Sequence, residues 1–257
     1  MNPHKIKCAA ATMLAAVVFL SFSPAAFAGS RVAVSVPPLH SLVAFLLSGV
    51  DTPALLYNSP EALSRHELNA HEAQKVDAAA MVIWGGPSYE KALAGKRLLD
   101  PLAGLKGLTL SSVTPLLSFP DPEKVDRSLN ARDMRFWLDP RLAKVAVGRI
   151  APQLVRLYPD SYERIMENEI VLKQRLMEME HHMQHALGND RSVPLHVPQS
   201  DVLYLAWRFN LAVPHCAAAA RHAEGFGQAN GPDLYFTMMK QVENDLLTCQ
   251  NQIASKD

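Results

Sequence analysis

Between Arg31 and Ser111 short β-rich runs alternate with stretches of helical periodicity, and this alternation constrains the fold class more than any other feature of the chain. Arg31-Val-Ala-Val-Ser-Val36 reads as a strand that stops at Pro37-Pro38. Leu39 to Val50 places Leu42, Val43, Leu46 and Leu47 at helical spacing and ends near Gly49. Ala54-Leu-Leu-Tyr57 reads as a second strand, followed by a polar loop from Asn58 to Leu68. Asn69 and Glu72 have the spacing of an N-cap with its reciprocal acid, which opens a helix through Ala79. Met81-Val-Ile-Trp84 is a third strand broken by Gly85-Gly86-Pro87, and a short helix (Tyr89 to Ala94) and a fourth strand (Leu108 to Ser111) follow. Strands that alternate with helices predict an α/β fold with a parallel sheet flanked by helices on both faces.

Thr114 to Arg132 has no period and reads as a loop. Pro140 suits the first position of a helix running to Tyr158, with Leu142, Val145, Ala146, Ile150, Leu154 and Leu157 on one apolar stripe. Pro159-Asp160-Ser161 restarts the chain into a helix ending at Gly188-Asn189, about 28 residues or roughly 42 Å long. A helix of that length predicts a bridge between two bodies. Beyond it, Val193 to Val197 reads as a strand, and Val202 to Phe209 and Leu234 to Leu247 as helices. The expected organisation is therefore an N-terminal α/β lobe over residues 29–159, a bridging helix over 160–188 and a small second lobe over 189–257.

The first 28 residues carry a different pattern: Lys5 and Lys7, an apolar run from Ala9 to Phe22, then Ala26-Phe27-Ala28 as a small-residue cleavage site. This predicts a secretory signal peptide, with a membrane anchor the weaker alternative because the apolar run is short for a span. Cys8 precedes the apolar run and is not placed as a lipoprotein cysteine. Cleavage would leave 23 basic and 25 acidic side chains, an even balance with no electrostatic footprint for nucleic acid. An apolar fraction of 49% argues against disorder. Cys216 and Cys249 would remain in a compartment that permits disulfides. They form either a bridge or two buried free thiols, and neither sits in a C-x-x-C pair that would suggest redox or zinc-thiolate chemistry.

Three blocks carry a resemblance. Val34-Ser-Val-Pro-Pro-Leu-His-Ser-Leu-Val43, Met81-Val-Ile-Trp-Gly-Gly-Pro87 and Phe136-Trp-Leu-Asp-Pro140 resemble, in order and spacing, the zinc/manganese-type periplasmic solute-binding proteins of metal ABC transporters. The resemblance is strongest over residues 31–160 and weak after 190. It implies two α/β lobes with parallel sheets joined by one long helix, and a metal ion held between them. It further implies zinc rather than manganese as cargo, a permease as partner and a periplasmic location; no later apolar run is long enough to span a bilayer, so no stable membrane insertion is expected after cleavage. The chain stops soon after Cys249, so the resemblance implies a shortened second lobe.

The ligand positions depart from the family pattern. Ser64-Arg-His-Glu67 keeps a first histidine, His66. The second falls in Asp133-Met-Arg-Phe-Trp-Leu-Asp-Pro140, where Arg135 stands at the ligand position. The third aligns with Gln199, the fourth lies beyond Asp257, and the segment matching the family's histidine-rich loop, residues 114–132, contains no histidine. Guanidinium has no lone pair to give and stays protonated. Held about 5 Å from a divalent ion, it would oppose binding by roughly 6–7 kcal/mol at an effective dielectric of 20. A weakened or relocated site is therefore expected.

Other histidines are candidates for that relocation. His181 and His185, four apart on the long helix, share a face and could chelate one ion, with His182, Glu178 and Glu180 beside them. A solvated polar face is the alternative. His196, three residues before Gln199, could replace the lost ligand or be an ordinary strand histidine. His40 reads as structural, His71 as a surface residue on a first helical turn, and His215 and His222 as surface residues of an Ala-rich loop. Asp77 and Glu90 read as surface helix carboxylates. No G-x-S-x-G, H-E-x-x-H or Gly-rich phosphate loop occurs, so no enzyme is predicted. Two functions follow: an exported metal-binding component of an ABC importer, with His66, His181, His185 and His196 as candidate ligands, or a degenerate paralogue acting as an accessory protein of the transport system.

Overall fold

Val32–Val34 forms β1, and all three of its residues are fully buried, as expected of a strand covered on both faces. β2 (Ala54–Leu55), β3 (Met81–Trp84) and β4 (Gly107–Thr109) complete a four-stranded sheet in the order β2-β1-β3-β4. Every pairing is parallel, with Ala33 opposite Ala54, Ala33 opposite Val82 and Val82 opposite Gly107. In this computed structural model the described residues are 30–95, 106–112, 114–116, 132–187, 202–211 and 216–254. The expected leader, the strand over 193–197, His196, Gln199 and His215 lie outside them.

The helices begin where local chemistry directs. Pro37 and Pro38 do not end a strand; they form the first turn of α1 (Pro37–Leu46), where a missing N–H costs nothing and φ is already helical. β1 is correspondingly shorter than the sequence suggests. A helix the sequence did not reveal, α2 (Pro60–Ser64), starts at Ser59, whose hydroxyl accepts the Ala62 N–H at 3.2 Å. α3 (Ala70–Ala78) carries the expected capping box: Asn69 Oδ1 accepts the Glu72 N–H at 2.8 Å, and Glu72 Oε2 accepts the Asn69 N–H at 2.9 Å. His40 is buried as expected, its Nε2–H donating to the Pro53 carbonyl at 3.0 Å.

After the short α4 (Lys91–Ala94) and β4, α5 (Pro140–Leu157) and α6 (Tyr162–Ala186) pack along each other. α5 contributes Ala143, Ala146, Val147, Ile150 and Leu154, and α6 contributes Ile165, Leu172, Leu176 and Met183. Asn168 ties α6 to α1 by donating to the Leu46 and Ser48 carbonyls, both at 3.0 Å. α7 (Leu203–Phe209), α8 (Ala217–His222) and α9 (Leu234–Ala254) follow, and α9 packs across α1 and α8. Ser41 of α1 joins that contact, accepting the Tyr235 N–H at 2.9 Å and donating to the Pro232 carbonyl at 3.0 Å. Among the described residues no helix is long and apolar enough to cross a membrane.

Two expectations fail here. Residues 217–222 are helical, not a loop, and His222 is half-buried, its Nδ1–H donating to Asp245 Oδ2 of α9 at 2.6 Å. Glu90 is not on the surface but fully buried. Its carboxylate accepts the Ser35 hydroxyl at 2.6 Å and the N–H groups of Gly85 and Gly86 at 2.8 and 2.7 Å. The chain turns sharply after β3 because Gly86 takes φ 149°, where a Cβ would lie 2.3 Å from Ser111 Oγ. That turn leaves two N–H groups pointing inward, and Glu90 satisfies both.

Burial pushes the Glu90 carboxyl up to about 7 from its ordinary 4.5, against the pull of its hydrogen bonds. The folded state thus holds a proton that the unfolded chain releases. The stability linked to Glu90 is full below pH 4.5 and is lost as pH rises toward 7. Glu90→Gln should flatten the dependence of urea-unfolding free energy on pH in that window; an unchanged slope would assign the titration to another group. The Cys216–Cys249 disulfide joins the start of α8 to α9 across 33 positions. Replacing Cys249 with Ser should lower unfolding free energy by about 3–4 kcal/mol. Equal denaturation midpoints for the two proteins would contradict this.

Candidate functional site

The segment Asp133–Pro140 corresponds to the block in which the family resemblance puts a second metal ligand, and here its polar groups are turned inward. Arg135 folds back on the residue two positions before it. Its Nε–H donates to Asp133 Oδ1 at 3.0 Å, its terminal N–H to Oδ2 at 2.9 Å, and its backbone N–H to Oδ1 at 2.9 Å. The Asp133 side chain is 2% exposed and that of Arg135 17%. Tyr204 of α7 closes the loop from the other side, its hydroxyl donating to the Asp133 carbonyl at 2.6 Å.

The 3-10 turn Phe136–Leu138 then runs through the core. Trp137 donates through Nε1–H to the Ala223 carbonyl at 3.0 Å, and its own carbonyl accepts the Tyr235 hydroxyl at 2.6 Å. Tyr89 meets the Trp137 ring edge-on at 5.5 Å between centroids and donates its hydroxyl to Glu224 Oε1 at 2.8 Å. Asp139, with no exposed surface, caps α5 by accepting the Arg141 N–H at 2.9 Å and takes both oxygens to Arg208 of α7.

Burial works against the charge of Arg135, but Asp133, through hydrogen bonds and charge, with Tyr89 and Glu224 adding, raises its pKa above the ordinary guanidinium value. The Tyr89 hydroxyl is pushed well above its usual range by burial first and by Glu224 second. The cluster therefore offers a fixed cation on a spoken-for carboxylate, and its phenol stays protonated. An ion could take Asp133 as a ligand only by breaking a bidentate pair.

The sequence-predicted ligands fall in different places. His66 is exposed in the loop after α2, beside Arg65, which pairs with Glu72. No hydrogen bond or ion pair joins His66 to Arg135. His181 and His185 do come together on α6, Nε2 to Nε2 at 3.2 Å. Their neighbour His182 faces Glu243 of α9 instead, at 3.2 Å, while Glu180 pairs with Arg141 and Glu178 accepts the Gln174 amide. Among the described residues no group of three or more His, Cys, Asp and Glu side chains is placed to hold a metal ion. The Asp133–Arg135 pair has a local signal in the sequence, an Asp-x-Arg spacing. Tyr204, Arg208 and Glu224 come from distant segments and leave no local signal.

The family described as zinc-uptake complex component A, periplasmic, matches residues 32–229. A curated relative, the high-affinity zinc uptake system protein ZnuA of Yersinia pestis, is 31% identical over 190 residues, covering 64% of this chain. The chain spans 58% of that relative's length. Among solved structures, an FpvC mutant from Pseudomonas aeruginosa superposes with a TM-score of 0.66 at 13% identity, covering 86% of this chain and 99% of that one. A crystal structure of ZnuA superposes with a TM-score of 0.59 at 18% identity, covering 85% and 98%. At those identities the superpositions speak for the two-lobed solute-binding fold alone. The sequence match over most of the chain identifies more than the fold: the chain belongs to the zinc-uptake complex component A family, a family of substrate-binding transport proteins and not of enzymes.

Proposed function

We propose that the chain is an exported, periplasmic component of a zinc-class ABC importer, working with a permease, in which the family's metal position has become part of the core. Family membership supports the transport role. The Lys5, Lys7 and Ala26-Phe27-Ala28 pattern supports export. The observation that carries the altered site is Arg135 itself. It stands where the family places a ligand, and it is held by three hydrogen bonds to a buried Asp133. Zinc takes imidazole, thiolate or carboxylate donors. Here the donor is replaced by a cation and the nearest carboxylate is already bonded, so zinc affinity at this position is weak.

A second function, an accessory partner of the true receptor or permease, is favoured by the lack of a three-ligand group among the described residues. Zinc calorimetry on chelator-stripped protein separates the two. Arg135→His returns an imidazole, removes a positive charge and leaves Asp133 a ring to pair with. It should strengthen zinc binding at least about tenfold, or about 1.4 kcal/mol. His66→Ala in that background should abolish the gain. Unchanged affinity in Arg135→His would show that residues 66 and 135 do not converge on one ion, and the accessory function would then be the better account. Permease co-purification that survives chelation would support the accessory function, and loss of it on metal removal would exclude that function.

A further inference from the structure

We infer that His181 and His185 form a second, independent metal-binding site on the outer face of α6, for a late first-row divalent cation such as copper(II) or zinc. Residues four apart on a helix are surface neighbours, and here the two rings turn toward each other. The two Nε2 atoms lie 3.2 Å apart, with ring centroids at 4.5 Å and planes at 70°. Two imidazole nitrogens each about 2.05 Å from a zinc ion, at a tetrahedral angle, are about 3.3 Å apart. The observed bite therefore already matches the distance a shared ion requires.

The surroundings agree with this use. Both rings are exposed, so an ion between them keeps open positions for water or an incoming ligand. His182 points elsewhere and pairs with Glu243, so it does not compete for the ion. Glu178 and Glu180 lie on the same stretch of helix and supply negative charge, although Gln174 and Arg141 already hold them. In the ion-free pair one neutral ring donates its Nε2–H to the Nε2 lone pair of the other. Binding requires that ring to shift its proton to Nδ1, so that each ring gives the ion a lone pair and no proton is lost. An all-imidazole pair favours copper(II) over zinc and nickel and excludes calcium and magnesium, which need oxygen donors. Two protein ligands with open positions make a site for capture and release, not a structural one. Its existence does not depend on the fate of Arg135, although a role in metal delivery rests on the transport function proposed above.

The test uses the untagged full chain, stripped with chelator and titrated separately with copper(II) and zinc. Copper(II) should bind more tightly than zinc, with nitrogen ligands visible by electron paramagnetic resonance, and magnesium should not bind. His181→Ala and His185→Ala should each weaken binding by about tenfold or more. The double variant should bind no more tightly than either single one, because each single variant keeps one imidazole and the double keeps none. His182→Ala should leave this affinity unchanged. Both replaced rings are exposed, so the metal-free melting temperature should also be unchanged, which separates loss of the site from loss of the fold. Wild-type affinity and the same nitrogen signature in the double variant would overturn the site and leave the ring contact as a hydrogen bond only. That result would not touch the Arg135 argument, whose variants are separate.

Discussion

Asp139 has no exposed surface, and burying a carboxylate is costly unless a partner compensates it. Arg208 of α7 is that partner, and Asp139 simultaneously caps α5. This interaction joins α7 to the end of the 3-10 turn Phe136–Leu138. The same segment is held by Tyr204 on the Asp133 carbonyl, Trp137 on the Ala223 carbonyl and Tyr235 on the Trp137 carbonyl. Removing either partner would strand the other and cost about 3–5 kcal/mol. The segment 133–140 is thereby built into the core from three directions, and Arg135 has little freedom to swing away from Asp133.

Under the proposed function, such a segment accounts for a transport-family scaffold that persists while its site changes. The parallel sheet, the α1 packing and the α5–α6 pair depend on apolar spacing that no ligand substitution disturbs. A ligand, by contrast, is one side chain. On the proposed function, exchanging an imidazole for a guanidinium, with an aspartate two residues before it, turns a donor into half of an internal salt bridge. The histidines that remain are then free of the old geometry, and two of them meet on the opposite kind of surface, the exposed face of α6.

What could be read from the sequence was what is encoded within one helical turn or one strand. The Asn69–Glu72 capping box, Pro140 at the start of α5 and the strand Met81–Trp84 all stand where spacing put them. Errors arose where a residue's meaning depends on the far side of the fold. Glu90 looks like any helix carboxylate until the Gly85-Gly86 turn presents it with two N–H groups. His222 looks like a loop histidine until α9 brings Asp245 to it. Pro37-Pro38 is ambiguous for a different reason: a proline pair stops a strand and starts a helix equally well, and only the continuation decides.

Zinc offered to this protein should avoid the Arg135 position and settle on α6. Anomalous diffraction at the zinc edge, from crystals of the chelator-stripped protein soaked in zinc, tests it directly. A peak is expected between His181 and His185 and none within ligand distance of His66 or Asp133. A peak joining His66 to Asp133, with Arg135 turned aside, would contradict it.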